Sequence, residues 1–166
     1  EDVEFNPYNR QAARVINGIL DIIYNEKIRE EEGGTYGVSA SVSLQQYPVH
    51  KASALVSFDC DPGRAGALKS IVYEEIDRLM EEGPGQEHLD KAVSNILKNR
   101  EESRQHNSYW LSTLYTWYMS GINYNEPANY EEILKGFTVE DIKEASSAFF
   151  NDADIVDIVF KPSEND

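Results

Sequence analysis

Between Ile28 and Val38 the chain changes its hydrophobic period, and the fold must turn on that change. Upstream, Ala12, Ile16, Ile19, Leu20, Ile23 and Ile28 recur close to every 3.6 residues, which predicts a helix over residues 7–30. Downstream, Tyr36, Val38, Ala40, Val42 and Leu44 alternate with Thr35, Gly37, Ser39, Ser41 and Ser43. That is a strand with two unlike faces over residues 35–45. Gly33 and Gly34 lie between the two patterns and supply the backbone angles that stop a helix and reverse the chain. The reversal is expected to bring Arg29, at the helix end, and Tyr36, at the strand start, to one edge of the fold. A guanidinium and a phenol placed together there can hold carbonyl or carboxylate oxygens.

The rest of the chain extends this start into an α+β fold. Asn6-Pro7 is a cap followed by proline at the first helical position. After a loop at residues 46–50, Ala52, Ala54, Val56, Phe58 and Cys60 share one face of a second strand, which predicts an antiparallel hairpin. Asp61-Pro62 repeats the cap-and-proline signal before a helix carrying Ala65, Leu68, Val72, Ile76 and Leu79. Gly83-Pro84-Gly85 ends that helix, and another follows with Leu89, Ala92, Val93, Ile96 and Leu97. The aromatic run 109–119 places Trp110, Leu114, Trp117 and Tyr118 on one helical face. It predicts a buried helix with its phenol tips in water, the alternative being an aromatic wall for a substrate chain. A short helix near Tyr130 to Leu134 comes next. Thr138-Val139-Glu140-Asp141 is a capping-box pattern opening a helix with Ile142, Ala145 and Phe149 inside. The apolar run 155–160 predicts an interior strand. Helices should thus cover one face of a mainly antiparallel sheet in a single domain. Three strands make a thin sheet, so the reading includes a fragment that lacks an N-terminal strand.

Composition removes several function classes. The 166 residues carry 30 acids against 15 bases, a net charge of −15 that disfavours nucleic acid. Most of the acids read as solvated helix faces, with attraction of basic peptides as the lesser alternative. No apolar run approaches the length of a membrane span, and the acidic first residues carry no signal-peptide pattern. The single cysteine, Cys60, makes no internal disulfide and reads as a small buried apolar residue.

The residues of a complete hydrolytic centre are missing from the motif inventory. A zinc hydrolase needs three protein ligands and an acid/base. The nearest approach to His-x-x-Glu-His is Gln86-Glu87-His88 with Pro84 at the position of the first histidine, so His88 reads as a surface residue near a helix start. His50 lies in the loop and His106 at a polar helix end. Glu74-Glu75 and Glu81-Glu82 read as ordinary helix surface, since adjacent helical residues do not face each other. No phosphate loop, Rossmann glycine pattern or serine elbow is present.

Several segments in order resemble the C-terminal domain of pitrilysin/insulinase-type zinc peptidases, the inverzincins, and the bacterial zinc-protease-like members most of all. They are Ile28-Arg29-Glu30, Gly33-Gly34-Thr35-Tyr36-Gly37-Val38, Phe58-Asp59-Cys60-Asp61-Pro62, Glu82-Gly83-Pro84, Asn107-Ser108-Tyr109-Trp110-Leu111 and Phe137-Thr138-Val139-Glu140-Asp141-Ile142. The resemblance implies the fold of the mitochondrial-processing-peptidase-like metallohydrolases and a clamshell chamber between two halves. It also implies a periplasmic or cell-envelope setting. The partner half would carry zinc and the glutamate base, and this chain would bind no metal and be inactive alone. Arg29 would bind a carbonyl of the peptide substrate, and the Tyr36 hydroxyl would donate to the scissile carbonyl oxygen. Gly33 and Gly34 would let the substrate backbone approach. Two alternatives stay open: a fold-retaining, non-catalytic partner subunit, and a plain peptide-binding domain.

Overall fold

The computed structural model describes residues 3–31, 35 and 37–160, with residues 29–31 described for their backbone only. Helix α1 (Pro7–Tyr24) is followed by a π-helical turn (Asn25–Glu31) and a hairpin of β1 (Val38–Gln45) and β2 (Lys51–Phe58). Then come α2 (Ala65–Glu81), α3 (Gln86–Ser103), α4 (Asn107–Ser120), a 3₁₀ turn (Pro127–Asn129), α5 (Glu131–Gly136) and α6 (Val139–Phe150). The protein is mostly helical, with a small antiparallel sheet beside the helices.

α1 is the central element because its sequence is apolar on more than one side. Ala12, Val15, Ile16, Ile19 and Leu20 are fully buried, so it contacts β1, α3 and α6 on different flanks. Its start follows the sequence: the Asn6 side chain accepts the Asn9 N–H at 2.8 Å, and Pro7 begins the helix. Its end does not. α-helical winding stops at Tyr24, and residues 25–31 complete the run as a π-helix, with Ile28 still fully buried.

The hairpin pairs Val38 with Phe58 through to Gln45 with Lys51. Val38, Val42 and Leu44 turn inward, while Ser39 meets Ser57 and Ser43 meets Ser53 through their hydroxyls on the outer face. β2 ends at Phe58, so Cys60 is a half-buried residue after the strand rather than part of its inner face. Asp61-Pro62 makes a turn, with the Gly63 N–H bonded to Asp61 Oδ1, and α2 begins three residues past the proline.

Two predicted elements differ more sharply. Residues 155–160 form no strand: Ile155, Val156, Ile158, Val159 and Phe160 are all exposed. The segment is fixed at Asp157, which accepts from Lys69 and Tyr73 of α2. A nearly continuous apolar run carries no instruction about which strand it should pair with, and no strand among the described residues lies alongside it. Likewise α4 is a helix, as its spacing predicts, but none of its residues is buried. Trp110, Leu114, Trp117 and Tyr118 face solvent, with Tyr118 88% exposed. An all-round apolar helix fixes no single inward face.

Candidate functional site

The corner between α1 and β1 is built from both sides. Ile28 anchors the π-turn in the core, and Lys27 reaches Glu75 of α2 at 2.5 Å. Glu75 is only 3% exposed and also meets Arg78 at 3.2 Å. The pair Glu74-Glu75 is therefore not simply surface. Glu75 falls on the same inner stripe as Val72 and Leu79, a spacing that gives its burial away in the sequence. Beside it, Tyr24 donates its hydroxyl to the Val72 carbonyl at 3.1 Å. Burial first, and then the nearby Glu75 charge, push that phenol pKa well above its usual value. Beyond the corner, the Thr35 hydroxyl bonds the Gly37 backbone at both N–H and carbonyl, just ahead of β1. The backbone of Arg29 lies within the π-turn. Its side chain, and Gly33, Gly34 and Tyr36, lie outside the described residues.

Next to this corner, α1 closes the outer edge of β1. Asp21 Oδ1 accepts the Ala40 N–H at 2.8 Å, and Asn17 Oδ1 accepts the Val42 N–H at 2.7 Å. Asn17 Nδ2 donates to the other Asp21 oxygen at 2.9 Å, so the two side chains brace each other. Two outward donors in the middle of the strand are thereby paired without another strand. Neither residue stands out in sequence, because each lies between the apolar positions of α1 as a surface residue would.

A groove of about 650 Å³ runs along these residues between α1 and α3. The helices approach closely at Gly18, where an added Cβ would stand 3.2 Å from the Ala92 Cβ. At one end Arg14 donates to the Tyr130 hydroxyl at 2.9 Å. At the other, His88 and Lys91 of α3 meet the Glu26 carboxylate of the π-turn at 3.1 and 3.3 Å. Partial burial opposes ionisation of Glu26, but the hydrogen bonds from His88 and Lys91 outweigh it and hold its pKa below the usual carboxylate value. His88 is thus a half-exposed residue of the first turn of α3 with an ionic partner.

The other histidines have structural places. The His50 ring accepts the Phe5 N–H at 3.3 Å, and His106 occupies the cap position of α4. Among the described residues, no three His, Cys, Asp or Glu side chains converge in a way that fits a metal. Among those residues, too, no helix is long and apolar enough to cross a membrane.

Comparison with known proteins places this architecture. Residues 3–96, more than half of the chain, match the model described as the Peptidase M16 inactive domain. The chain is 32% identical over 100 residues to a zinc protease PQQL-like protein of Arabidopsis thaliana, across 57% of this chain and 10% of that one. Its fold is similar to that of the periplasmic protease PqqL from Escherichia coli, with a TM-score of 0.69 and 24% identity over 89% of this chain and 16% of that one. It is also similar to the ferredoxin protease FusC, solved as a mutant in complex with Arabidopsis ferredoxin, with a TM-score of 0.66 and 17% identity over 89% and 16% of the two chains. The chain therefore spans a small part of the length of these relatives. The match over residues 3–96 covers α1, the π-turn, the hairpin and most of the residues that line the groove, and on it the chain belongs to the family of Peptidase M16 inactive domains.

Proposed function

We propose that this chain is the substrate-binding, C-terminal domain of a zinc-dependent metallopeptidase whose metal is held by an N-terminal domain of the same or another chain. The observation that carries the reading is the family match across residues 3–96, which contains the π-turn and the start of the hairpin. The described residues offer no ligand set for zinc, so in this reading the metal chemistry belongs to the partner domain.

In this reading the π-turn presents Arg29 to a carbonyl of the bound peptide. The phenol of Tyr36 donates to the scissile carbonyl oxygen as negative charge develops there. Gly33 and Gly34 keep the intervening backbone free of side chains where the substrate passes. Ile28 in the core and the Lys27–Glu75 pair hold the π-turn against α2, so the ordering cost of the corner is met before substrate arrives.

The test is steady-state peptide hydrolysis by the full gene product. Tyr36→Phe is expected to lower kcat by about a hundredfold with little change in KM, as removal of one oxyanion donor does. Arg29→Ala is expected to raise KM. Unchanged turnover in both variants would overturn the reading and leave a fold-retaining partner subunit in its place.

A further inference from the structure

The π-turn is held from outside at successive residues. Glu26 reaches α3, where His88 Nε2 and Lys91 Nζ stand 3.1 and 3.3 Å from its two carboxylate oxygens. Lys27 reaches α2 and the nearly buried Glu75. Ile28 is fully buried in the core. Arg29 is the next residue of the same turn. At the junction with α1, Asn25 Nδ2 donates to the Asp21 carbonyl at 2.8 Å. We propose that Glu26 is a positioning residue for substrate: its contacts with α3, together with the Lys27 contact with α2, fix the π-turn in the register that presents Arg29 to the peptide. The proposal rests on the peptidase reading above and adds the α3 side of the mount.

The backbone itself calls for such supports. π-helical runs are rare and gather at functional sites, and they replace the i→i+4 ladder with i→i+5 bonds. Rewinding residues 25–31 as an α-helix would set each later side chain at a new angle about the axis. Ile28 alone does not prevent this, because an apolar contact has no direction and tolerates small rotations. The charged contacts do. Were the turn to rotate, Glu75 would lose one of its two cations while only 3% exposed, and Glu26 would part from both His88 and Lys91. The α3 side is a firm mount, since Leu89 and Ala92, the neighbours of His88 and Lys91, are buried. Glu26 itself is 40% exposed, and exposed ion pairs contribute little to folding. A role in the geometry of the turn is therefore separable from a role in stability.

The experiment is a double-mutant cycle on the full gene product, read by steady-state peptide hydrolysis. The variants are Glu26→Gln, Arg29→Ala and the two combined. Glu26→Gln should raise KM about fivefold while kcat stays within about twofold, and the combined variant should have the KM of Arg29→Ala. His88→Gln/Lys91→Met removes the same contact from the α3 side and should reproduce the rise in KM without altering the turn. Circular dichroism checks that each variant is folded. A wild-type KM in either Glu26→Gln or the α3 variant overturns the proposal. So does a rise that adds in full to that of Arg29→Ala, which marks a general loosening, or a fall in kcat alone, which marks loss of active enzyme. A wild-type KM in Arg29→Ala overturns the peptidase reading and the proposal with it. A raised KM there, beside an unchanged or additive Glu26→Gln, overturns the positioning role alone.

Discussion

Asp21 holds the backbone of Ala40 from a neighbouring helix, with Oδ1 2.8 Å from the strand N–H. Asn17 does the same for Val42, and the two side chains are joined by their own hydrogen bond. The middle of the β1 edge is held in this way by a helix. Asp21→Ala would leave a half-buried N–H without an acceptor and free Asn17 to turn. The expected cost is about 1–3 kcal/mol. Hydrogen exchange at Ala40 and Val42 should accelerate in that variant while exchange at Ile142 in α6 stays unchanged. Uniform acceleration across the protein would show that the brace is not local.

Lys27 and Arg78 both serve Glu75, a carboxylate with almost no exposure. Replacing Lys27 with methionine leaves that buried charge to Arg78 alone, and the expected loss is about 2–3 kcal/mol, somewhat below that of a fully buried pair because Lys27 is 31% exposed. Glu75→Gln should cost less, since it removes the buried charge itself and keeps a hydrogen-bonding side chain of the same shape. Chemical denaturation orders the two. A milder effect for Lys27→Met than for Glu75→Gln would mean that solvent, not Lys27, compensates the carboxylate.

Much of the architecture was legible because local chemistry and packing agreed. The caps at Asn6 and Thr138, the α1 stripe, the hairpin alternation and the α6 stripe of Ile142, Ala145 and Phe149 all appear as the sequence predicts. The failures share a cause. Residues 155–160 and α4 are apolar without a preferred side, so their composition predicts burial without naming a partner. Glu75 and Arg100 are the converse: charged residues sitting on inner stripes, buried because Lys27 and Arg78 meet the first and the Tyr124 carbonyl and Tyr109 hydroxyl meet the second. Residue type misleads there, whereas position along the stripe does not. The candidate site divides similarly. The period change located the α1–β1 corner, but the groove joins residues about 80 positions apart that no local pattern connects.

Gly83 ends α2 with φ +78°, and an added Cβ would lie 2.9 Å from Val139 Cγ1 and 3.1 Å from the Val139 carbonyl oxygen. Gly83→Ala therefore meets both backbone strain and a collision with the first turn of α6. The expected loss is about 2–4 kcal/mol. Gly136→Ala is the control, since nothing lies within 4 Å of a Cβ there. Thermal melting of the two variants checks this, and equal melting temperatures would contradict it.

The capping box of α6 makes part of the stability dependent on acid. Asp141 accepts from the Thr138 hydroxyl and backbone N–H at 2.6 and 2.7 Å, and from the Tyr8 hydroxyl at 3.1 Å. The Thr138 bonds foremost, helped by Tyr8 and opposed by partial burial, hold its carboxyl below the ordinary value of 3.8. Tyr8 responds in the opposite sense, its phenol pushed up to about 12 by burial first and then by Asp141. A carboxylate with a depressed folded pKa gives stability that is present above its unfolded value and lost as pH falls through the folded one. Thr138→Ala should therefore be less stable than wild type by about 1 kcal/mol near neutral pH, and the gap should narrow as pH falls below the ordinary carboxylate value of 3.8. Tyr8→Phe should reproduce a smaller part of the same acid dependence without unwinding the cap. Urea denaturation across that range reads both, and a gap for Thr138→Ala that stays constant into acid would show that the hydroxyl, and not the Asp141 charge, carries the cap.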